Sequence, residues 1–466
     1  MEIAANTSIL SRLKGTLKIL TKKSMITATG MTDLNHDCLA EIFQHLEIND
    51  LYAIACARPS FTNVFTLFNR RFEYTVTDIG ASNLLHFFQM IGIQIQTLTI
   101  TIGERCHNSS NVIEFFECIQ KYCENLKHLT VKKWPNLNFS RMSKLLSRLE
   151  TLQLIECENV ESNYPDDGDH FSYHIWTNPQ MYADHQTCLS DLTNLKTLKL
   201  HTCKGFRPHD FHKFLQINGK LRELSLFALA EFKQNQINER FFDDLARYLQ
   251  ELKIICIDVQ TTTNIQFIAN LPNLQTLQLF DYSVYNDQIV DRLLRLICDS
   301  KTLEELDLYH CNLGSATYRF ISQLKNLHTL KLRKNFWITD QHLQSLNLMP
   351  ALQTVCCFDN VILSDDGVLS IVNMAPKLKQ LDISWCFMIS NRIIYDIRGL
   401  MLVQRHRPKL SILAGGRTKI TESVMDSFSS EDRDRLAVQF DPDMPITCII
   451  QNSFCSNCTS KSRISS

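Results

Sequence analysis

The chain has 466 residues, 44% of them apolar and 21% charged, with 48 Lys and Arg against 49 Asp and Glu. That length exceeds one ordinary core and calls for two units or a repeated one, and the composition excludes a disordered chain. A net charge of −1 gives no electrostatic case for nucleic acid or a membrane surface, and no apolar run approaches the ~20 residues of a membrane span. The seventeen cysteines stand singly, and no cleavable signal peptide is legible ahead of them. Reduced thiols of the cytoplasm or nucleus are therefore expected.

Residues 1–30 carry Ile9, Leu10, Leu13, Leu17 and Leu20 at helical spacing, interleaved with Arg12, Lys14, Lys18, Lys22 and Lys23. A basic amphipathic helix could lie on a membrane or act as a presequence. Glu2, a single Arg and a mid-segment Gly15 favour a flexible basic tail instead.

Residues 31–75 predict short helices. Cys38, Leu39, Ile42, Phe43 and Leu46 share one side of the first, which Asn35 can cap and whose positive end Asp37 and Glu41 favour. Asn49-Asp50 caps a second helix with Leu51 and Ile54, and Phe61, Val64, Phe65 and Phe68 form a third series past Pro59. Such a module buries too little surface to stand alone, so its apolar faces need this chain or a partner. The segment resembles an F-box, the helical module that docks on the Skp adaptor of cullin-RING ubiquitin ligases. The matching residues are Leu34, Asp37, Leu39, Ile42-Phe43, Leu46 and Asp50-Leu51. Asn35 stands where the family has proline, and Arg58-Pro59-Ser60-Phe61 departs from its basic-aromatic pair. The resemblance implies that Leu34, Leu39, Ile42, Phe43, Leu46 and Leu51 face the adaptor.

Behind this segment a Leu-x-x-Leu-x-Leu pattern recurs, clearest at Leu149/Leu152/Leu154, Leu274/Leu277/Leu279, Leu303/Leu306/Leu308 and Leu327/Leu330/Leu332. From Ile100 to Ile383 the copies are spaced 22–31 residues apart, except for one step of 46. Three residues past the last apolar position stand Cys157, Cys203, Cys311, Asn335, Asn360 and Cys386. A small polar or thiol side chain there turns the backbone inward after a strand. Thr339, Ser364 and Ser390 then read as N-caps of following helices. The pattern resembles the cysteine-containing leucine-rich repeats of F-box/leucine-rich-repeat proteins. The expected fold is α/β: a short all-helical F-box, then a curved leucine-rich-repeat solenoid of strand-plus-helix repeats over 76–440. A capping strand is expected at Phe72-Tyr74-Val76, a final strand at 436–440, and a flexible tail over 441–466. The 46-residue step hides either a degenerate repeat or an insertion near 163–186, where both periodicities vanish.

No phosphate loop, dinucleotide fingerprint or H-E-x-x-H occurs, and thirteen glycines serve the whole chain. Cys455 and Cys458 form one isolated pair, and His170, His174 and His185 fit no common metal spacing, so no metal, cofactor or catalytic residue is expected. The repeat cysteines read as buried, inert thiols. The position after the last apolar residue should face solvent on the inner surface by period-2 alternation. It holds Phe227, Phe280, Tyr309, Arg333 and Phe358, with Trp385 close by. Aromatics and Arg anchor protein interfaces, so this row is a candidate substrate-binding surface unless its members are simply buried. The F-box resemblance makes the chain the substrate receptor of an SCF-type ligase. It would bind the Skp adaptor, through it a cullin, and an unidentified protein substrate, with no nucleic acid or membrane partner. The alternative is a leucine-rich scaffold or inhibitor in which residues 31–75 merely cap the array.

Overall fold

The computed structural model describes residues 39, 71–76, 88–89, 92–103, 110–134, 137, 142–158, 189–206, 210–229, 239–258, 265–281 and 287–440. Two compact units divide the chain, residues 1–221 with 228–232, and residues 222–227 with 233–466.

The first unit contains strands β1 (Arg71–Val76), β2 (Thr97–Ile102), β3 (His128–Lys132), β4 (Thr151–Ile155) and β5 (Thr197–His201), each parallel to the next in chain order. β1 runs in register from Arg71 to Val76 beside β2, so the ladder starts inside the stretch that reads as the helical module. β4 pairs directly with β5, Leu152 opposite Leu198. No strand therefore stands between β4 and β5 in the sheet.

The second unit contains β6 (Glu223–Phe227), β7 (Ile254–Asp258), β8 (Thr276–Phe280), β9 (Glu305–Tyr309), β10 (Thr329–Arg333), β11 (Thr354–Cys356), β12 (Gln380–Asp382), β13 (Leu410–Leu413) and β14 (Leu436–Gln439). These too are parallel neighbours in chain order. Parallel strands need a crossover, and the intervening helices supply it, as Asp287–Ile297 between β8 and β9 and Asp365–Met374 between β11 and β12. The repeated leucines are the core: Leu277, Leu279, Leu306, Leu308, Leu330 and Leu332 are fully buried. Each such side chain contributes on the order of 1.5–3 kcal/mol of hydrophobic stabilisation.

Successive repeats are tied by hydrogen bonds that the sequence positions predict only in part. Lys133 and Ala228 take a left-handed conformation, and behind six of the strands so does a non-glycine residue followed by Cys or Asn: Glu156, Thr202, His310, Lys334, Asp359 and Trp385 have φ between 53° and 65°. That costs roughly 1–2 kcal/mol apiece, and it swings the next side chain inward. That next residue is Cys157, Cys203, Cys311, Asn335, Asn360 or Cys386, and it donates back to the preceding repeat's strand carbonyl. Asn335 Nδ2 reaches Leu308 O at 2.8 Å, Asn360 Nδ2 reaches Leu332 O at 2.7 Å, and Cys386 Sγ reaches Cys357 O at 3.0 Å. Cys157, Cys203 and Cys311 donate likewise to Val131, Leu154 and Leu279. The left-handed residue's own N–H points forward, Lys334 to Phe358 O at 2.9 Å and Asp359 to Ser384 O at 2.9 Å.

The helical side is tied as well. Thr339, Ser364 and Ser390 occupy the N-cap positions of Asp340–Gln344, Asp365–Met374 and Asn391–Val403. Asp340 accepts from the Ser364 N–H at 3.0 Å and Asp365 from the Ser390 N–H at 2.8 Å, so each helix's first residue holds the next helix's cap.

Asn360 also accepts the Asn335 N–H at 2.8 Å and donates to Cys357 O at 2.9 Å. Asn360→Ala should strand these buried groups and lower stability by roughly 3 kcal/mol. Asn360→Cys, which keeps a donor for Leu332 O, should lose less than half as much. Urea unfolding of both variants measures this.

Candidate partner-binding surface

The face of the sheet opposite the leucine core is built from alternate strand residues. In β9 these are Glu305, Asp307 and Tyr309, and in β10 Thr329, Lys331 and Arg333, paired across the ladder. The rows differ in exposure along the strand. Thr276, Glu305, Thr329 and Thr354 at the strand entrances are half-buried, whereas Phe227, Phe280, Tyr309, Arg333 and Phe358 at the strand ends are buried.

That corrects the expectation of a solvated aromatic row. Phe280 is 2% exposed, Tyr309 3% and Phe358 4%. The reason is contact along the row. Phe227 and Phe280 have ring centroids 4.8 Å apart, Phe280 and Tyr309 5.3 Å, and the Arg333 guanidinium lies 5.4 Å from the centre of the Tyr309 ring. Parallel register places Phe280, Tyr309 and Arg333 on the successive strands β8, β9 and β10, close enough for large groups to lean on one another, while the Phe227 ring of β6 meets Phe280 across β7. Trp385 is not in the row. It is one of the left-handed residues, half-buried, with its ring against Gly416, where any β-carbon would collide with the indole.

A polar network runs beside the rings. Arg333 grips Asp307 through both Nε, at 3.1 Å, and Nη2, and Asp307 is fully buried. Lys331 Nζ meets Glu305 at 2.6 Å. Asp382 accepts from the Ser384 N–H at 2.9 Å and from Cys356 Sγ at 3.3 Å. Burial nonetheless pushes the Asp382 carboxyl up, against the pull of Ser384, Cys356 and Arg333. Burial likewise raises the thiols, Cys118 to about 11 and Cys386 to about 12, so neither is a nucleophile at neutral pH. In the first unit, burial with Lys199 nearby lowers His201 to about 3, which keeps its ring neutral. Among the described residues no group of three or more His, Cys, Asp or Glu is placed to hold a metal ion, and no helix is long and apolar enough to cross a membrane. Cys455, Cys458, His170, His174 and His185 lie outside the described residues.

The expected adaptor face lies almost wholly outside them too: Leu34, Ile42, Phe43, Leu46 and Leu51 are not described. Leu39 is helical and 2% exposed. Sequence reasoning passed over Trp337, Ile362 and Met388, exposed apolar residues of the loops that leave the strands. Their signal was available: each stands two residues past Asn335, Asn360 or Cys386, outside the leucine pattern.

No family model and no curated protein matches the chain. Among solved structures it is similar to a Rad7–Elc1 complex of yeast, with 14% identity over 95% of this chain and 92% of that one and a TM-score of 0.47. It is also similar to an internalin of Listeria monocytogenes, with 15% identity over 70% of this chain and 83% of that one and a TM-score of 0.35.

Arg333→Met should leave Asp307 buried without its counter-charge and cost about 3–5 kcal/mol, whereas Arg333→Met with Asp307→Leu should recover most of it. Denaturant midpoints of the single and double variants check this. An acid with a raised folded pKa holds its proton more tightly when folded. The contribution of Asp382 is therefore complete below the ordinary carboxylate range and is lost as pH rises through the raised value. In Asp382→Asn that decline should be absent from stability-versus-pH curves.

Proposed function

We propose that this protein is a non-catalytic receptor subunit of a Skp-cullin-F-box ubiquitin ligase in the cytoplasm or nucleus. Residues 34–51 bind the Skp adaptor, and the repeats hold a protein for ubiquitination. The observation that carries the reading is the pairing, in one chain, of the Leu34…Asp50-Leu51 pattern with an array that uses both Cys and Asn in its inter-repeat hydrogen bonds. A receptor of this kind contributes proximity, raising the effective concentration of the target beside the conjugating machinery. The ring row Phe227, Phe280, Tyr309 and Phe358 then serves as a rigid floor, and the target meets the accessible positions around it.

The burial of Leu39 favours a second reading, a repeat scaffold or inhibitor outside any ligase in which residues 31–75 cap the array. One substitution separates the two. Leu46→Asp should abolish co-purification with the Skp adaptor and leave the melting of the repeats unchanged. Retained adaptor binding would sink the assignment of residues 34–51 as the adaptor-binding segment, and an adaptor missing already from the unaltered chain supports the scaffold.

A further inference from the structure

Trp337, Ile362 and Met388 are 61%, 45% and 51% exposed, and they occupy one repeat position in three successive repeats. Val361 beside them is exposed too. Their loops run side by side, for Ser364 and Met388 form a parallel backbone bridge and Ser390 and Lys419 form the next. The side chains therefore line one edge of the second unit, where its strands exit. Single exposed apolar residues are ordinary, but a row of them in register marks a surface that binds something.

The edge is also charged. Arg417 is exposed, and its guanidinium lies 5.6 Å from the ring centres of both Trp385 and Phe387. Lys334 lies 5.7 Å from the Tyr309 ring centre. Asp359 is the carboxylate whose charge interacts with both Lys334 and Arg417. The other nearby acids are engaged, Asp340 and Asp365 with Ser364 and Ser390, and Asp366 with Arg392 at 2.8 Å. Two cations against one such carboxylate suit an anionic ligand group next to the apolar row.

The chain itself leads such a ligand to this edge. β14 is parallel to β13, and the carbonyl of its last residue, Gln439, accepts the Ala414 N–H at 2.9 Å. The chain thus leaves the sheet at the exit edge, close in sequence register to Gly415, Gly416 and Arg417. It continues Asp441-Pro442-Asp443-Met444-Pro445-Ile446-Thr447-Cys448-Ile449-Ile450, two carboxylates followed by an apolar run. The prolines favour an extended backbone and remove N–H groups that another ladder strand would need. From β14 to β10 is four strand spacings, about 19 Å, and ten extended residues reach about 33 Å. We propose that the ridge Trp337–Ile362–Met388 is a docking surface for an extended acidic-apolar segment, and that residues 441–450 of this chain occupy it in cis. Any partner using the ridge must displace them. The inference stands whether or not residues 34–51 bind an adaptor.

The test is site-specific photocrosslinking in the full chain, with p-benzoylphenylalanine introduced at Ile446 and equal amounts of isotopically light and heavy protein mixed. Crosslinks should form within single chains, to peptides containing Ile362 or Met388. Ile362→Asp with Met388→Asp, both at exposed positions, should cut their yield about tenfold, the factor expected for two lost apolar contacts. Light-to-heavy crosslinks at the ridge would mean that a second copy supplies the segment and would overturn the cis assignment. Crosslinks elsewhere, or a yield unchanged in the double variant, would overturn the docking surface itself.

Discussion

The stacking of the repeats depends on a two-residue device that six of them carry at the end of the strand. A left-handed residue sends its N–H forward to the next repeat, and the Asn or Cys behind it sends a side-chain donor back to the previous one. Without the left-handed turn the side chain would continue the strand alternation and miss the carbonyl, and the donor's bond offsets part of the strain of a positive φ on a residue with a β-carbon. Buried strand ends otherwise leave carbonyls unsatisfied, which a leucine core cannot tolerate. The Asp340–Ser364 and Asp365–Ser390 contacts repeat the solution on the helical side.

The same device decides what the open face can be. Because the chain turns away just past each strand, the last strand side chain lies among its neighbours in adjacent repeats. Large groups in register there have only each other to pack on, so Phe280, Tyr309 and Arg333 close into a row. Arg333 and Asp307 show how charges enter such a row: fully hydrogen-bonded and paired, since either alone would be desolvated without compensation. Turning the chain outward also places the two following residues on the exit loops, where Trp337, Ile362 and Met388 are exposed. Rigid floor and exposed ridge are thus two consequences of one turn.

On the proposed reading, these features divide the work of binding. In the second unit burial raises the Cys386 thiol, and the exit loops there carry the exposed Trp337, Ile362 and Met388. A repeat array suits recognition because neighbouring repeats present equivalent positions at fixed spacing.

Much of this was legible in the residues. The period of Leu-x-x-Leu-x-Leu determined strands, their order and the buried leucines, because each repeat must bury the same face against the next. Asn335, Asn360 and Cys386 announced the inward turn, and Thr339, Ser364 and Ser390 the helix starts, because capping and turn chemistry are local. The long step between Ile155 and Thr197 was visible, but only strand pairing showed that β4 and β5 are direct neighbours in the sheet. Alternation assigned Phe227, Phe280, Tyr309 and Phe358 correctly to the open face and then misjudged their exposure. Period-2 reading tells which side of a sheet a residue takes, whereas burial depends on what stands on the neighbouring strands. Those neighbours are 22–31 residues away in sequence, so their contacts exist only once the repeats are stacked.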